Sequence, residues 1–337
     1  MQAATHTQYG SSEVLSVEEV KTPTVGPKQV LIRVHASPVT EGDRRLRAAD
    51  FPGVSAVAGR LMFGLLRPRN PTPGTMFAGQ IVAVGPEVTR FAVGDDVFGS
   101  CDNSAQAEYL AVGEDGPLAK IPPGVEYDEA AAVPYGAVTA LAFLRDVAQV
   151  QPGDKVLIVG ASGGVGRFAV QIARHLGAHV TGVGSGRNAA MMTELGADAV
   201  IDYKTEDYTN NGHTYDVIFD TASGDGFRAA KGSLGENGRY VSVYLNLLVL
   251  WQMLRTALFG GPKVASSVVL GNQALSEDVA ELLAQGVIRP VIAGRYPMAR
   301  VAEAHAAQEA GHIAGTIIVS VNDAARSTPP ARTLQVA

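Results

Sequence analysis

The apolar positions of this chain change their period along its length, and the change divides it. From Lys155 to Val159 they form a short, almost wholly apolar run, as in a parallel strand covered on both faces. Gly160, Gly163, Gly164 and Gly166 then fall within seven residues. Val165, Phe168, Ala169, Ile172, Ala173 and Leu176 recur at three- and four-residue spacing, which predicts a helix stopped by Gly177. A strand at 179–183 follows, and two more buried runs, 215–220 and 238–243, repeat the alternation. Strands alternating with helices predict a right-handed doubly wound sheet over 126–270.

The chain before it reads differently. Short strand-like runs at 30–34, 79–85 and 96–98 are separated by Gly, Pro and Asp turns, predicting a barrel or compact sandwich over 1–125. Residues 51–73 are less regular and rich in Gly, Pro, Leu and Phe, either a lid over an apolar substrate or a packed loop. A helical region opens at Asp128 and runs through 138–147.

Residues 245–259 are strongly apolar, but Gln252 and Arg255 interrupt them and the stretch is too short to span a bilayer. It reads as a core, pocket or dimer-contact helix. A last strand of the sheet is predicted at 264–270, then over 271–322 a helix at 276–285 with Ser276 as N-cap, a strand near Val291, a helix at 299–310 and a strand at 315–319. The polar, Pro-containing tail 323–337 reads as disordered.

At 337 residues, two domains are expected, and 46% apolar with 18% charged residues suffices for two cores. The net charge of −6 carries no basic block, which argues against nucleic acid as a partner. Cys101 stands alone, which excludes an internal disulfide framework and any multi-cysteine zinc site. The opening MQAATHTQYG has no apolar core of signal-peptide length, so a cytoplasmic location is expected.

Glycines between a buried strand and an amphipathic helix let the backbone turn sharply, let a pyrophosphate reach main-chain N–H groups, and aim the positive end of the helix at it. Ser162, Gly163, Gly164 and Val165 are therefore candidate dinucleotide contacts. An acid roughly 20 residues on usually binds the ribose of NAD. Here the second strand ends in Gly184-Ser185-Gly186-Arg187-Asn188, without one. A hydroxyl and a guanidinium suit a 2′-phosphate, so Gly184, Ser185 and Arg187 point to NADP(H); the alternative is that Arg187 is a solvated helix-start residue.

Several phrases together carry a resemblance over nearly the whole chain: Gln29-Val30-Leu31-Ile32-Arg33-Val34, Val93-Gly94-Asp95-Asp96-Val97-Phe98-Gly99, Ala130-Ala131-Ala132-Val133-Pro134 with Thr139-Ala140, Gly163-Gly164-Val165-Gly166, and Leu195-Gly196-Ala197-Asp198 with Ile201-Asp202-Tyr203. The sequence resembles the medium-chain dehydrogenase/reductase superfamily, in its zinc-free quinone oxidoreductase (zeta-crystallin-like) and enoyl-reductase branch. The resemblance implies an α/β chain in which a GroES-like β-barrel catalytic domain carries an inserted Rossmann cofactor domain, with the active site in the cleft between them. It places Tyr203 at the adenosine end of NADP beside Ser185 and Arg187, and Tyr135 and Thr139 near the nicotinamide. Tyr244 and Asn246 fall where relatives approach the nicotinamide, although the usual glycine there is missing. A homodimer joined through the 264–270 edge is also implied.

The departures bear on the chemistry. Zinc-dependent relatives use a Cys, a Gly-His-Glu phrase and a further Cys or acidic ligand, whereas this chain has Gly74-Thr75-Met76 and no cysteine near Thr40. Three or four N or S ligands are needed for tetrahedral zinc, so no metal is expected. His6, His35, His175, His179, His213, His305 and His312 show no metal-like spacing and read as surface or packing residues. Without a Lewis acid to polarise a simple ketone, the expected acceptors are conjugated enones, enals or quinones.

Thr40 and Asp43 match the place where relatives carry Asn-Pro and Asp. Tyr135 or Thr40 is the candidate donor to a developing oxyanion and Asp43 the group that orients its neighbours, and each also reads as a turn or packing residue. Cys101 reads as a small buried residue rather than a nucleophile. The resulting expectation is an NADPH-dependent, zinc-independent reductase of activated C=C bonds or quinones. The alternatives are a specialised biosynthetic reductase of one conjugated intermediate and an NADPH-binding protein of little turnover.

Overall fold

In a computed structural model, residues 1–51, 55–222, 226–269, 271–311 and 314–322 are described. The expectation of a disordered tail at 323–337, and the reading of His312, fall outside them. Two compact units emerge, one of Met1–Tyr135, Gly271–Ala284 and the described residues from Pro290, the other of Gly136–Leu270 and Gln285–Arg289.

The first unit opens with β1 (Gln2–Thr5) and β2 (Ser16–Glu19), an antiparallel pair. The eleven-residue β3 (Gln29–Val39) follows, then α1 (Glu41–Ala48), α2 (Ser55–Phe63) and β4 (Met76–Val84). Next come β5 (Asp96–Ser100), β6 (Tyr109–Gly113), β7 (Leu118–Lys120) and α3 (Tyr127–Ala132). Along β3, Val30, Ile32 and Val34 are fully buried while Leu31 and Arg33 are half-buried, the period of a strand with one face on a core. Its length lets one edge pair with β6 over Gln29–Arg33 and go on to the C-terminal return, while the other edge pairs with β4.

Helix α4 (Pro134–Leu141) leads to the second unit, built of β8 (Lys155–Val159), α5 (Gly166–His175), β9 (His179–Gly184), α6 (Ala189–Glu194), β10 (Ala199–Asp202) and β11 (Tyr215–Asp220). It continues through α7 (Phe227–Ala230), β12 (Leu234–Ser242), α8 (Leu247–Phe259) and β13 (Lys263–Ser266). The six strands are parallel in the order β10-β9-β8-β11-β12-β13. Central β8 buries Val156, Leu157 and Ile158 completely because helices cover both its faces.

The chain returns to the first unit with α9 (Gln273–Ala284), β14 (Ile292–Pro297), α10 (Val301–Glu309) and β15 (Thr316–Ser320). This completes a seven-stranded sheet ordered β14-β15-β3-β4-β5-β7, with β6 also on β3. Mixed α/β architecture, a GroES-like barrel and a Rossmann sheet are all present.

Three details differ from the sequence reading. The stretch 51–73 contains the nine-residue helix α2. Ser276 lies inside α9 rather than at its cap; Asn272 Oδ1 accepts from Leu275 N at 2.9 Å, and the Ser276 hydroxyl donates back to Asn272 O at 3.0 Å. Strand β13 stops at Ser266, and Leu270 lies outside the described residues.

Helix α8 buries Gln252 and Thr256 beside Val249 and exposes Leu247, Leu248, Leu250, Trp251, Leu254, Leu258 and Phe259. Thr256 earns its place by accepting from the Val264 amide at 3.2 Å and donating to Gln252 O at 2.9 Å. Among the described residues no helix is long and apolar enough to cross a membrane.

A buried polar strut ties α1 to α10. Arg47, fully buried, donates to His305 Nδ1 at 2.8 Å, to Gly10 O at 3.3 Å and to the Glu309 carboxylate. Since Arg has only donors, His305 Nδ1 accepts and its Nε2–H donates to Gln106 Oε1 at 3.1 Å. Burial, then the charges of Arg47 and His6, lower the His305 pKa from 6.5 to about 3.

The unfolded chain takes up this proton below about pH 6.5 and the folded chain does not. Stability from this group is therefore full above pH 6.5 and lost as pH falls toward 3, by at most about 1.4 kcal/mol per pH unit. His305→Gln keeps an acceptor for Arg47 and a donor for Gln106 but cannot titrate. Its melting temperature is expected to trail the native value at neutral pH and to close on it toward pH 4; parallel curves would exclude His305 as the source.

Candidate active site

In the second unit the chemistry lies where β8 becomes α5. Gly160 takes a φ of +79°, and a Cβ there would fall 2.8 Å from Thr221 Oγ1. At Gly166 a Cβ would fall 2.1 Å from Gly160 O and 2.7 Å from Ala161 Cα, both backbone atoms that cannot yield. The helix therefore starts against the strand it follows. Its i→i−4 bonding opens with Arg167 N to Gly163 O at 3.1 Å, leaving exposed Gly164 and half-buried Val165 at its mouth. A cradle that only glycines fill, at the N-terminus of a ten-residue helix, fits a pyrophosphate. From behind, α4 closes on the same turn, because a Cβ at Gly136 would lie 2.3 Å from Gly164 O. Thr139 is one turn along α4 from Tyr135.

Arg167, which the sequence reading passed over, is buried beside this turn. It donates to Ser162 O at 3.3 Å, and burial lowers its pKa to about 10. The remaining cofactor candidates divide into two groups. Ser162 Oγ lies 3.3 Å from where a Gly184 Cβ would be, and Tyr203 N donates to Gly184 O at 3.2 Å, so Ser162, Gly184 and Tyr203 are neighbours. Ser185 is buried, and Arg187 is exposed on the short turn Gly186–Asn188.

That turn also carries an acid from a different strand. Asp202, at the end of β10, places Oδ2 only 2.3 Å from where a Gly186 Cβ would stand, while its Oδ1 accepts from Lys204 N at 3.1 Å. Local sequence around Arg187 gave no sign of it. Tyr244 and Asn246 lie elsewhere: Tyr244 N donates to Ser242 Oγ at 3.1 Å, and Asn246 Oδ1 caps α8 by accepting from Val249 N at 2.9 Å.

In the first unit Thr40 and Asp43 meet, in a capping box that starts α1. The Thr40 hydroxyl donates to Asp43 Oδ2 at 2.6 Å, Thr40 N donates to the same oxygen at 2.8 Å, and Asp43 N donates to Thr40 Oγ1 at 3.1 Å. Thr75, absent from the candidates, donates its hydroxyl to Asp43 Oδ1 at 2.9 Å. Asp43 is 1% exposed, and burial raises its pKa against the opposing pull of these hydrogen bonds. The Tyr135 ring lies beside this helix start, its edge 3.6 Å from a Gly42 Cβ position.

Cys101 donates to Gly74 O at 3.8 Å, and burial, then the charges of Asp43 and Asp102, push its thiol pKa upward. It stays protonated and unreactive. A cavity of about 200 Å³ adjoins this group, reached by Asp43, Arg47, His6 and Tyr9. Among the described residues no group of three or more His, Cys, Asp or Glu side chains is placed to hold a metal ion.

A barrel joined in sequence to a six-stranded parallel sheet with a phosphate-fitted glycine turn defines the class of dinucleotide-dependent oxidoreductases. Residues 26–142 match the alcohol dehydrogenase GroES-like domain, and 195–319 match the zinc-binding dehydrogenase domain. The chain is 30% identical to the human mitochondrial NAD(P)H oxidoreductase RTN4IP1, over 93% of this chain and 87% of that one. It is 28% identical to the tomato (Solanum lycopersicum) 2-methylene-furan-3-one reductase, over 95% and 79%. The solved quinone oxidoreductase of Coxiella burnetii superposes with a TM-score of 0.83 at 27% identity, covering 96% of this chain and 99% of that one. The chain belongs to the medium-chain dehydrogenase/reductase superfamily, in its quinone oxidoreductase and enoyl reductase branch. It is a member of the NAD(P)H oxidoreductases of that branch.

The glycine turn yields a direct check. Gly166→Ala is expected to lower the melting temperature through a clash costing about 1–3 kcal/mol, and to abolish the further rise that saturating NADPH gives the native chain. A full NADPH-dependent rise in the variant would contradict the placement of the pyrophosphate there.

Proposed function

We propose that this chain is a zinc-independent, NADPH-dependent reductase that delivers hydride to the activated C=C of a conjugated carbonyl compound, or to a quinone. The observation that carries this reading is the Asp43 group. Thr40 and Thr75 stand where zinc-dependent relatives put ligands, and both turn their hydroxyls to Asp43. A site of hydroxyls and one buried carboxylate suits an acceptor already activated by conjugation. The quinone and enone reductases among its relatives favour the same acceptors.

When bound, NADPH supplies hydride from nicotinamide C4 to the β-carbon, leaving NADP⁺ and an enolate whose charge lies on the carbonyl oxygen. The amides of Gly164 and Val165 would hold the pyrophosphate, Ser185 and Arg187 the 2′-phosphate, and Tyr203 the adenosine end beside them. Tyr135, whose ring lies beside the start of α1, or Thr40 is the hydroxyl assigned to the developing oxyanion. Asp43 holds Thr40 and Thr75 in place, and water returns the proton to the α-carbon. For a quinone the hydride and proton give the hydroquinone.

The cofactor preference turns on a contest between Arg187, which attracts a 2′-phosphate, and Asp202, which repels it. Arg187→Ala is expected to weaken NADPH binding roughly tenfold or more and NADH binding little, whereas Asp202→Asn raises the NADPH preference. Equal loss of both cofactors in the first variant would overturn the assignment of Arg187. The reaction is tested by NADPH oxidation at 340 nm with EDTA present, across enones, enals, quinones and simple ketones. Turnover of conjugated acceptors that survives EDTA is expected; turnover of simple ketones abolished by EDTA would defeat the reading.

A further inference from the structure

Residues 59–73 hold three arginines, Arg60, Arg67 and Arg69, and no acid, in a chain whose net charge is −6. Beside them Leu61, Met62, Leu65 and Leu66 are 59–87% exposed. Single exposed apolar residues need no explanation, but three leucines and a methionine within six residues form an apolar tip.

The tip is built. Gly64 takes a φ of +128° where a Cβ would strike Arg67 O at 2.0 Å, so the turn demands glycine. Arg69 N donates to Phe63 O at 2.8 Å across it, and the Tyr9 hydroxyl donates to Gly64 O at 2.7 Å from beneath. Arg60 lies over the Tyr9 ring at 5.6 Å. Arg67 and Arg69 have no carboxylate partner among the described residues. A fixed turn thus presents leucines flanked by uncompensated cations, and Met62, Phe63 and Arg69 also line the 200 Å³ cavity beside Asp43.

We propose that this turn docks the protein reversibly on an anionic lipid surface, with the leucines in the headgroup boundary and the arginines on lipid phosphates and carboxylates. The charge pattern decides the occupant. Three cations are fewer than the four to eight that hold a polybasic segment by charge alone, so apolar insertion must contribute, and both together match an interfacial contact. Docking there sets the mouth of the cavity against the membrane, where an apolar acceptor concentrates. That last step rests on the reductase reading; the docking itself does not.

The test is flotation of the full chain with vesicles of phosphatidylcholine alone or with added phosphatidylserine. Flotation with the anionic vesicles is expected, reduced but not abolished by high salt. Arg67→Ala should weaken partitioning about fivefold at low salt, and Leu65→Glu with Leu66→Glu should abolish it while leaving the melting temperature and its rise with NADPH unchanged. No flotation with either vesicle would overturn the proposal. So would undiminished flotation of the Leu65/Leu66 variant, or loss of flotation only on Leu254→Glu in α8, which would move the contact to that helix. Because no substrate enters the assay, failure of the reductase reading leaves its result intact.

Discussion

The close approach of α5 to the end of β8 is the constraint on which the second unit depends. Gly166 has no room for a side chain because Gly160 O stands where its Cβ would be, and Gly136 is held the same way against Gly164. Three segments meet at contact distance there. A strand buried on both faces fixes the floor, and the helix that leaves it can point nowhere but over its carboxyl end. The peptide groups left over at that helix start are what a pyrophosphate needs, so packing and binding follow from the same missing side chains.

The first unit is governed by a carboxylate instead. Asp43 is removed from water, and an ionised buried acid persists only if donors replace the solvent. Two threonine hydroxyls and a main-chain amide do so, and α1 and the start of β4 are held to each other as a result. Asp43 itself reaches the cavity, with Thr40 and Thr75 bonded behind it. A turn later on α1, Arg47 meets the same demand by reaching Glu309 and His305.

Most of the strands and the two-part organisation were legible in the sequence, because buried parallel strands and an amphipathic helix leave uninterrupted or periodic apolar runs. Residues 155–159 and 215–220 read as strands because nothing polar can sit on either face. Contacts made across the chain left no such trace. Arg47 and His305 are 258 residues apart, and Thr75 lies 32 residues from Asp43, so neither pairing has a local signature. Asp202 has no local signature near Arg187 because its carboxylate comes from the neighbouring strand β10, where Asp202 is in register with Gly184 of β9. Ser276 misled because Asn272, four residues earlier, is the better acceptor for a free helix amide. Helix α8 was recognised as apolar, but not that Gln252 and Thr256 would be buried with Val249 while most of its leucines face outward.

The central claim is that hydride goes to the far end of a conjugated acceptor. Turnover of a simple enone with NADPH carrying deuterium at C4, followed by NMR of the product, reads the site of transfer directly. Deuterium on the β-carbon of a saturated ketone is the outcome the structure predicts, from whichever face of the nicotinamide it leaves. Deuterium on the carbonyl carbon of an allylic alcohol would contradict it, since that reaction requires a group at Thr40 or Thr75 able to polarise a carbonyl unaided by conjugation.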